Sequence, residues 1–501
     1  MAEKAEKAER AEKAEKAEAG KAEEVKKAGK AESKNEKAGR ERSEGEGTRT
    51  RKDVKRITLL VATIASFLTP FMGSATNIAL PSIGREFSID AILLGWIATS
   101  YLLAAGIFSV PFGRIADIKG RRRIFVAGLL VYSAGSLTSA LAPSAESLIA
   151  FRIVQGIGGA MIFATAVAII TSVFPPAERG KAIGINTAAV YIGLSLGPFL
   201  GGFLTQSFGW RSVFAVNFPI GILALALALW KLKGEWAEAR GERLDLKGTL
   251  LYSLMLLLII YGLTELSGIL ILGFIFLLAF VWYESRIEQP VLEIKLFRRN
   301  PTFSLSSMAA LINYSATFAV GFILSLYLQY VKALTPQQAG LILISQPVLM
   351  ATFAPFAGWL SDRIEPRVVA SAGMAVTTLS LFVFSRITAD TSMSVIVANL
   401  MLLGFGLGLF SSPNTNAIMS SVERKFFGIA SATVATMRLV GQILSMALVM
   451  LVFSIVMGRV EVTAEYYLLF VQSARTAFTL FAVLCFFGIF ASLGRGKIRQ
   501  D

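Results

Sequence analysis

Apolar runs of about twenty residues recur along this chain, each long enough as a helix to cross a hydrocarbon core of about 30 Å. Short polar segments rich in Lys, Arg and Gly separate them. Fourteen spans are read, beginning near Ile57, Ala91, Ile124, Leu148, Ala182, Ser212, Leu246, Gly268, Thr302, Pro336, Arg367, Ser392, Phe427 and Ala474. Backbone polar groups inside lipid must be satisfied within the segment, so spans of this length predict helices rather than barrel strands.

Composition agrees with that pattern: of 501 residues, 54% are hydrophobic and 17% charged, and mean hydropathy is +0.62. The predicted class is an all-α integral membrane protein.

Basic residues orient the spans, because Lys and Arg are retained on the cytoplasmic side. With the amino terminus inside, the inner loops hold 23 Lys and Arg, from Arg114, Lys119 and Arg121 to Arg123 through to Arg495, Lys497 and Arg499. The outer loops hold 6: Arg85, Arg211, Lys332, Arg386, Arg459 and Arg475. Both termini are therefore expected in the cytoplasm, and the net charge of +15 reads as topology rather than nucleic-acid binding.

Residues 1–56 are a separate object. The "AEKAEKAER" repeat sets Glu four residues before Lys or Arg, as in Glu6 to Arg10, but has no apolar face. A disordered or single-helix cytoplasmic tail is expected, with Arg49, Arg51, Lys52, Lys55 and Arg56 able to touch anionic lipid. No cleavable signal is read in it, so the first span is the expected targeting element. One cysteine, Cys485, allows no internal disulfide, and the absence of histidine removes the commonest proton shuttle and metal ligand.

Motifs recur at a nearly constant distance of about 244 to 248 residues. "GRIADIKGRRR" (113–123) is echoed by "GWLSDRIEPRV" (358–368), so that Gly113 and Asp117 return as Gly358 and Asp362, 245 residues on. Gly156 and Gly158 return as Gly404 and Gly406, Glu178 and Arg179 as Glu423 and Arg424, Gly184 and Gly197 as Gly428 and Gly441. Two related six-helix halves follow, 57–232 and 302–494, with two inserted spans at 246–284 and a short cytoplasmic end at 495–501. Duplicated helical halves are a common build for secondary transporters, whose sites lie near the midplane between them.

Three groups of residues carry chemistry. "YIGLSLGPFLGGFL" (191–204) sets Gly193, Gly197 and Gly201 on one helical face, where another backbone can come close. Pro198 frees a carbonyl and bends the span beside Gly202. Asp117 stands among Arg114, Arg121, Arg122 and Arg123, between Gly113 and Gly120, where carboxylate and guanidinium forks form a breakable cytoplasmic latch. Arg152 and Arg438 lie within spans, where charge is costly and usually faces a cavity. Polar partners are available from Asn77, Gln155, Asn186, Tyr191, Asn217, Asn313, Tyr314, Tyr327, Gln346, Asn414, Asn416 and Gln442.

On these motifs residues 57–494 resemble the major facilitator superfamily, in particular its fourteen-span drug:proton antiporter branch. "GRIADIKGRRR" is similar to the superfamily's signature between spans two and three, with Ile118 where an arginine is usual. "FRIVQGIGGA" sets Arg152, Gln155 and Gly156 on the fourth-span motif, and "GLSLGPFLGG" matches the fifth-span motif associated with antiporters. "WRSVFAVNFPIG" (210–221), "PVLEIKLFRRNPTF" (290–303) and "YLQYVKALTPQQAG" (327–340) resemble the branch as well. The resemblance implies proton-coupled export of small amphiphilic compounds by alternating access, with the bend at Pro198 packing the fifth span against the opposite half to help seal one side and the Gly193 to Gly202 segment shaping the gate. It departs from the branch at Met72, where an Asp five residues before the Asn of the N-x-A-L-P signature is common. Coupling is then open to Asp117, Glu265, a tyrosine or water chain, or another ion.

Arginines without a carboxylate deep in the spans point to an anionic or zwitterionic amphiphile as substrate. A solute symporter or uniporter and a lipid or glycolipid flippase are alternatives on the same fold. No cysteine pair, metal-ligand cluster or nucleotide loop supports an enzyme, so no cofactor or metal is expected, and the partners expected are the substrate, a coupling ion and the bilayer.

Overall fold

The computed structural model describes residues 54–232, 234–242, 244–265, 267–287, 294–423 and 427–496, besides Gly20. Expectations placed on the rest of the tail, on Arg243, Arg424 and Lys425, and on residues 497–501 lie outside these residues.

Capping side chains start the helices where the polar loops end. Asp90 accepts from the Leu93 N–H at 2.7 Å, Ser144 and Ser147 form a reciprocal capping box, and Asn300 accepts from the Phe303 N–H with Pro301 in the first turn. The first half is α1 (Val54–Phe87), α2 (Ala91–Lys119), α3 (Arg121–Ala140), α4 (Ala145–Val173), α5 (Pro176–Phe208) and α6 (Arg211–Lys231). A hairpin follows, α7 (Leu246–Thr264) and α8 (Ile269–Glu284). The second half is α9 (Pro301–Val331), α10 (Pro336–Ser361), α11 (Pro366–Phe384), α12 (Met393–Ser420), α13 (Phe427–Val456) and α14 (Tyr467–Gly494).

Thirteen of these helices are long and apolar enough to cross a membrane, and α8, with 16 residues, reaches about 24 Å at 1.5 Å per residue. The last pass begins at Tyr467, seven residues ahead of the Ala474 expectation. Arg475, read from the sequence as an outer-loop residue, therefore lies within α14, where its Nε donates to the Ser385 carbonyl at 3.3 Å.

Successive passes alternate in direction, so the bundle has a basic end, which carries Arg114, Arg121, Arg179, Arg298, Arg363 and Arg495, and an opposite end. Packing follows the repeat. In the first half α4 lies on α2 and α3; in the second, α12 lies on α10 and α11. Gly158 of α4 sits against the Tyr132 backbone of α3, and Gly406 of α12 against the Thr377 and Gly373 backbone of α11. A Cβ at either position would meet backbone atoms, which no rotamer change relieves. Between the halves, α5 packs on α10 and α2 on α13, while α7 touches both α2 and α13.

Candidate transport site and gates

Midway along the seam, polar side chains from both halves meet. Tyr191 of α5 and Ser411 of α12 share a hydrogen bond at 3.2 Å. Tyr314 of α9 lies near the same cluster, within electrostatic reach of Tyr191 and of Arg438 on α13. Arg438, Tyr191, Tyr314 and Gln442 are all half-buried. Gly441 lets α13 come this near: a Cβ there would stand 2.7 Å from Tyr314 Cβ and 2.8 Å from the Leu311 carbonyl. The arrangement offers phenol and guanidinium donors, and a hydroxyl, to a guest lying between the halves.

Toward the opposite end the seam is closed. Ser325 of α9 donates to the Asn77 carbonyl at 2.6 Å, Gln329 to Ile78 at 3.0 Å, and Tyr330 to Pro81 at 3.1 Å. Asn77 is thus a seam residue, with its amide 3.8 Å from where a Cβ on Gly321 would stand. Toward the basic end, a Cβ on Gly180 or Gly184 of α5 would meet nothing within 4 Å, and Ile185 is exposed.

The Gly193 to Gly202 segment has two faces. Gly193, Gly197 and Gly201 pack on α1 of their own half, where Cβ atoms would stand 2.6, 3.0 and 3.0 Å from the Phe67, Phe71 and Ala75 carbonyls. The backbone that enters the glycine groove is thus one of the same half. The crossing contact is made by Gly202, whose Cβ position is 2.5 Å from the Pro336 carbonyl, and by Pro198, whose carbonyl is approached by Gly340 of α10.

At the basic end, Asp117 and Arg121 are joined at 2.8 Å, as their spacing suggests. Arg121, 8% exposed, also donates to Ser172 at 2.7 Å and grips both Glu238 oxygens at 2.8 and 3.0 Å. Arg122 N–H donates to Glu235 at 2.9 Å, Arg123 faces Glu235 at 3.6 Å, and Arg114 pairs with Glu242. Gly120 takes φ 117°, which seats the Glu235 carboxyl where a side chain would stand. Gly113 lies beside Ala164 of α4. This cluster thus binds the connector between α6 and α7, which is also held by Ala239 N–H to the Asp117 carbonyl at 3.0 Å and Arg121 N–H to the Trp236 carbonyl at 2.8 Å. Sequence reading missed Glu235, Glu238 and Glu242, although "EWAEARGE" sets three acids beside a basic loop.

Other candidates lie inside the halves. Arg152 is 1% exposed; its Nε donates to the Ile97 carbonyl at 3.2 Å, its Nη1 to Gln155 at 2.7 Å, and its plane lies 4.5 Å from the Tyr101 ring. Gln155 passes the chain on to Ser136 at 2.7 Å. Tyr327 is buried and donates to the Thr388 carbonyl at 2.6 Å. Asn414 is 2% exposed and accepts from Arg495 at 2.6 Å, so it holds the second half's basic end and does not line the seam. Burial lowers the Arg495 guanidinium to about 10, which leaves it charged at neutral pH. Among the described residues, acids in the spans stand only at helix ends, as Glu86, Asp117, Glu146, Glu178 and Glu284 do.

Two half-bundles with a polar seam are matched by sequence comparison: residues 62–331 and again 306–497 match the Major Facilitator Superfamily. The chain belongs to that superfamily. A riboflavin transporter, RibZ, of Clostridioides difficile (strain 630) is 33% identical over 388 residues, covering 77% of this chain and 85% of RibZ. A multidrug resistance protein, Stp, of Mycobacterium tuberculosis (strain ATCC 25618 / H37Rv) is 32% identical over 404 residues, 78% of this chain and 74% of Stp. A cephamycin export protein, CmcT, of Amycolatopsis lactamdurans is 33% identical over 413 residues, 79% and 84%. Two of these relatives, Stp and CmcT, are named for multidrug resistance and antibiotic export. In fold it is similar to a bacterial homologue of the human lysosomal transporter Spinster in an inward-facing, unoccupied conformation, at TM-score 0.65 and 17% identity over 89% of this chain and 97% of that one. The protein is therefore a multi-pass membrane transporter of the major facilitator fold, two six-helix halves with the α7–α8 hairpin between them.

Proposed function

We propose that this transporter exports small amphiphilic compounds by alternating access, with protons as the counter-ion. The observation that carries the reading is the seam itself, sealed by α9 on α1 toward the opposite end and lined midway by Tyr191, Ser411, Tyr314 and Arg438. Likeness to proteins named for multidrug resistance and cephamycin export supports the direction. The basic end is assigned to the cytoplasm from its Lys and Arg excess, which puts both termini inside and makes this state open inward.

The substrate class proposed is anionic or zwitterionic, because Arg438 presents a guanidinium at the seam and, among the described residues, no carboxylate stands deep in the spans. Arg152 is proposed to hold the first half in register rather than to touch the guest, since it is buried and its Nε and Nη1 already donate within that half. Asp117 is the proposed coupling acid: it is a half-buried carboxylate on the side where the cavity opens, whereas Glu265 lies at the other end. A solute symporter or uniporter is the second reading, and the likeness to RibZ, named a riboflavin transporter, makes riboflavin a solute to test.

The test is proton flux in proteoliposomes containing a pH-sensitive dye, with anionic and cationic amphiphiles and riboflavin added in turn. Substrate-dependent proton movement lost in Asp117→Asn is the expected result. Flux of substrate without proton movement overturns the coupling, and uptake by right-side-out vesicles only overturns the direction.

A further inference from the structure

The α7–α8 hairpin is fixed to different halves at its two ends. At the basic end its leading connector is bound to the first half through Asp117, Arg121 and Arg122. Within the bilayer Tyr252 donates to the Gly106 carbonyl of α2 at 3.2 Å, and Tyr252, Met255, Leu256 and Phe280 pack with Ile107 and Val110 of the same half and also with Val440 of α13. At the opposite end Glu265, the residue that caps the C-terminus of α7, pairs with Arg459, which follows α13 of the second half. The loop carrying Arg459 also makes an antiparallel backbone bridge from Glu461 to Asp90, the capping residue of α2.

We propose that the hairpin travels with the first half and that its Glu265–Arg459 ion pair is a releasable clasp on the opposite-end gate, closed in this structure. The proposal rests on the alternating-access reading. When that end opens, α13 must leave α2, and the loop from Arg459 to Glu461 must leave both Glu265 and Asp90. Glu265 and Arg459 side chains are 24% and 65% exposed, so solvent screens the pair. A weak contact suits a gate that opens in every cycle. A strong one would trap the closed state.

The experiment measures the gate directly and needs no substrate. Spin labels are placed at Leu141→Cys, after α3, and Asp390→Cys, before α12, both exposed at the opposite end, in full-length protein carrying Cys485→Ser and reconstituted in liposomes. Distances are read by pulsed electron spin resonance. Arg459→Ala and Glu265→Gln are each expected to raise the long-distance population about two- to five-fold, the size an exposed ion pair supports. The charge swap Glu265→Arg with Arg459→Glu is expected to bring it back, and raised salt to mimic the single variants. Tyr330→Ala, which removes the phenol from Pro81, separates the two ideas. If Tyr330→Ala lengthens the distance and Arg459→Ala does not, the clasp is wrong and alternating access stands. If neither variant changes the distribution, both readings fall.

Discussion

The Ser74 hydroxyl of α1 donates to the Leu194 carbonyl of α5 at 3.2 Å. Leu194 is four residues before Pro198, so it is the carbonyl that the proline, lacking an N–H, leaves without its helical donor. A kink in one helix is thereby satisfied by its neighbour, and Gly197 supplies the room, because a Cβ there would collide with Ser74. Ser74→Ala should lower stability by about 1 kcal/mol, within the range for orphaning a part-buried acceptor. With Pro198→Ala in place the backbone donor returns, and the same change should be nearly neutral. Thermal unfolding of the four proteins in detergent forms the double-mutant cycle. Equal losses in both backgrounds contradict the pairing.

Substitutions along α5 should separate by face. Gly193→Ala and Gly201→Ala push on α1 within one half and should lower stability by about 1–3 kcal/mol, as overpacking does. Gly202→Ala and Gly340→Ala push on the contact between halves and should reduce transport at least tenfold at nearly unchanged melting temperature. Gly180→Ala and Gly184→Ala meet nothing and should stay within about 0.5 kcal/mol of wild type. Melting curves and vesicle transport on one set of variants decide it. Loss of stability in Gly340→Ala to the level of Gly201→Ala would remove the distinction.

Arg121 and Glu238 are partners of unequal weight. The Glu238 side chain is 67% exposed, so Glu238→Gln should lower stability by no more than about 1 kcal/mol. Arg121 also holds Asp117 and Ser172 and is nearly buried, so Arg121→Lys, which keeps the charge but not the fork, should remove most transport. Transport assays at matched expression compare the two. Full activity in Arg121→Lys would show that charge alone suffices there.

Reversing the charge at the seam tests the substrate class. Arg438→Glu should abolish movement of anionic amphiphiles and admit cationic dyes, whereas Tyr314→Phe should weaken both alike by removing one donor. Efflux from cells expressing each variant supplies the comparison. Unchanged selectivity in Arg438→Glu would place the guest elsewhere.

Much of the fold was legible because crossing a membrane is a local demand: length and hydropathy alone located α2 at Ala91, α7 at Leu246 and α10 at Pro336. The start of α14 was misread because Gln472 and Arg475 interrupt the apolar run, and what tolerates Arg475 there is the Ser385 carbonyl, 90 residues away in sequence. The repeat located Gly158 and Gly406, since close helix contacts need small residues at fixed register. Partner choice was not legible. Nothing near Arg152 in sequence announces the Tyr101 ring, and nothing near Asn414 announces Arg495. The seam cluster was readable as polar positions, Tyr191, Tyr314, Arg438 and Gln442, but its assembly depends on how two halves meet.

The end of α9 is wound as a π turn from Tyr327 to Val331, with Lys332 N–H reaching back five residues to the Tyr327 carbonyl at 3.1 Å. Such a turn holds one residue more than an α turn closing on the same carbonyl. Gln329 and Tyr330, which reach α1, sit inside it. In evolutionary terms the turn reads as a one-residue insertion. Deleting a single residue, ruinous in most membrane helices, would here restore an ordinary helix and rotate the residues beyond the deletion by about 100° relative to those before it. How firmly α9 grips α1 is thus set by the count of residues in that turn as much as by their identity.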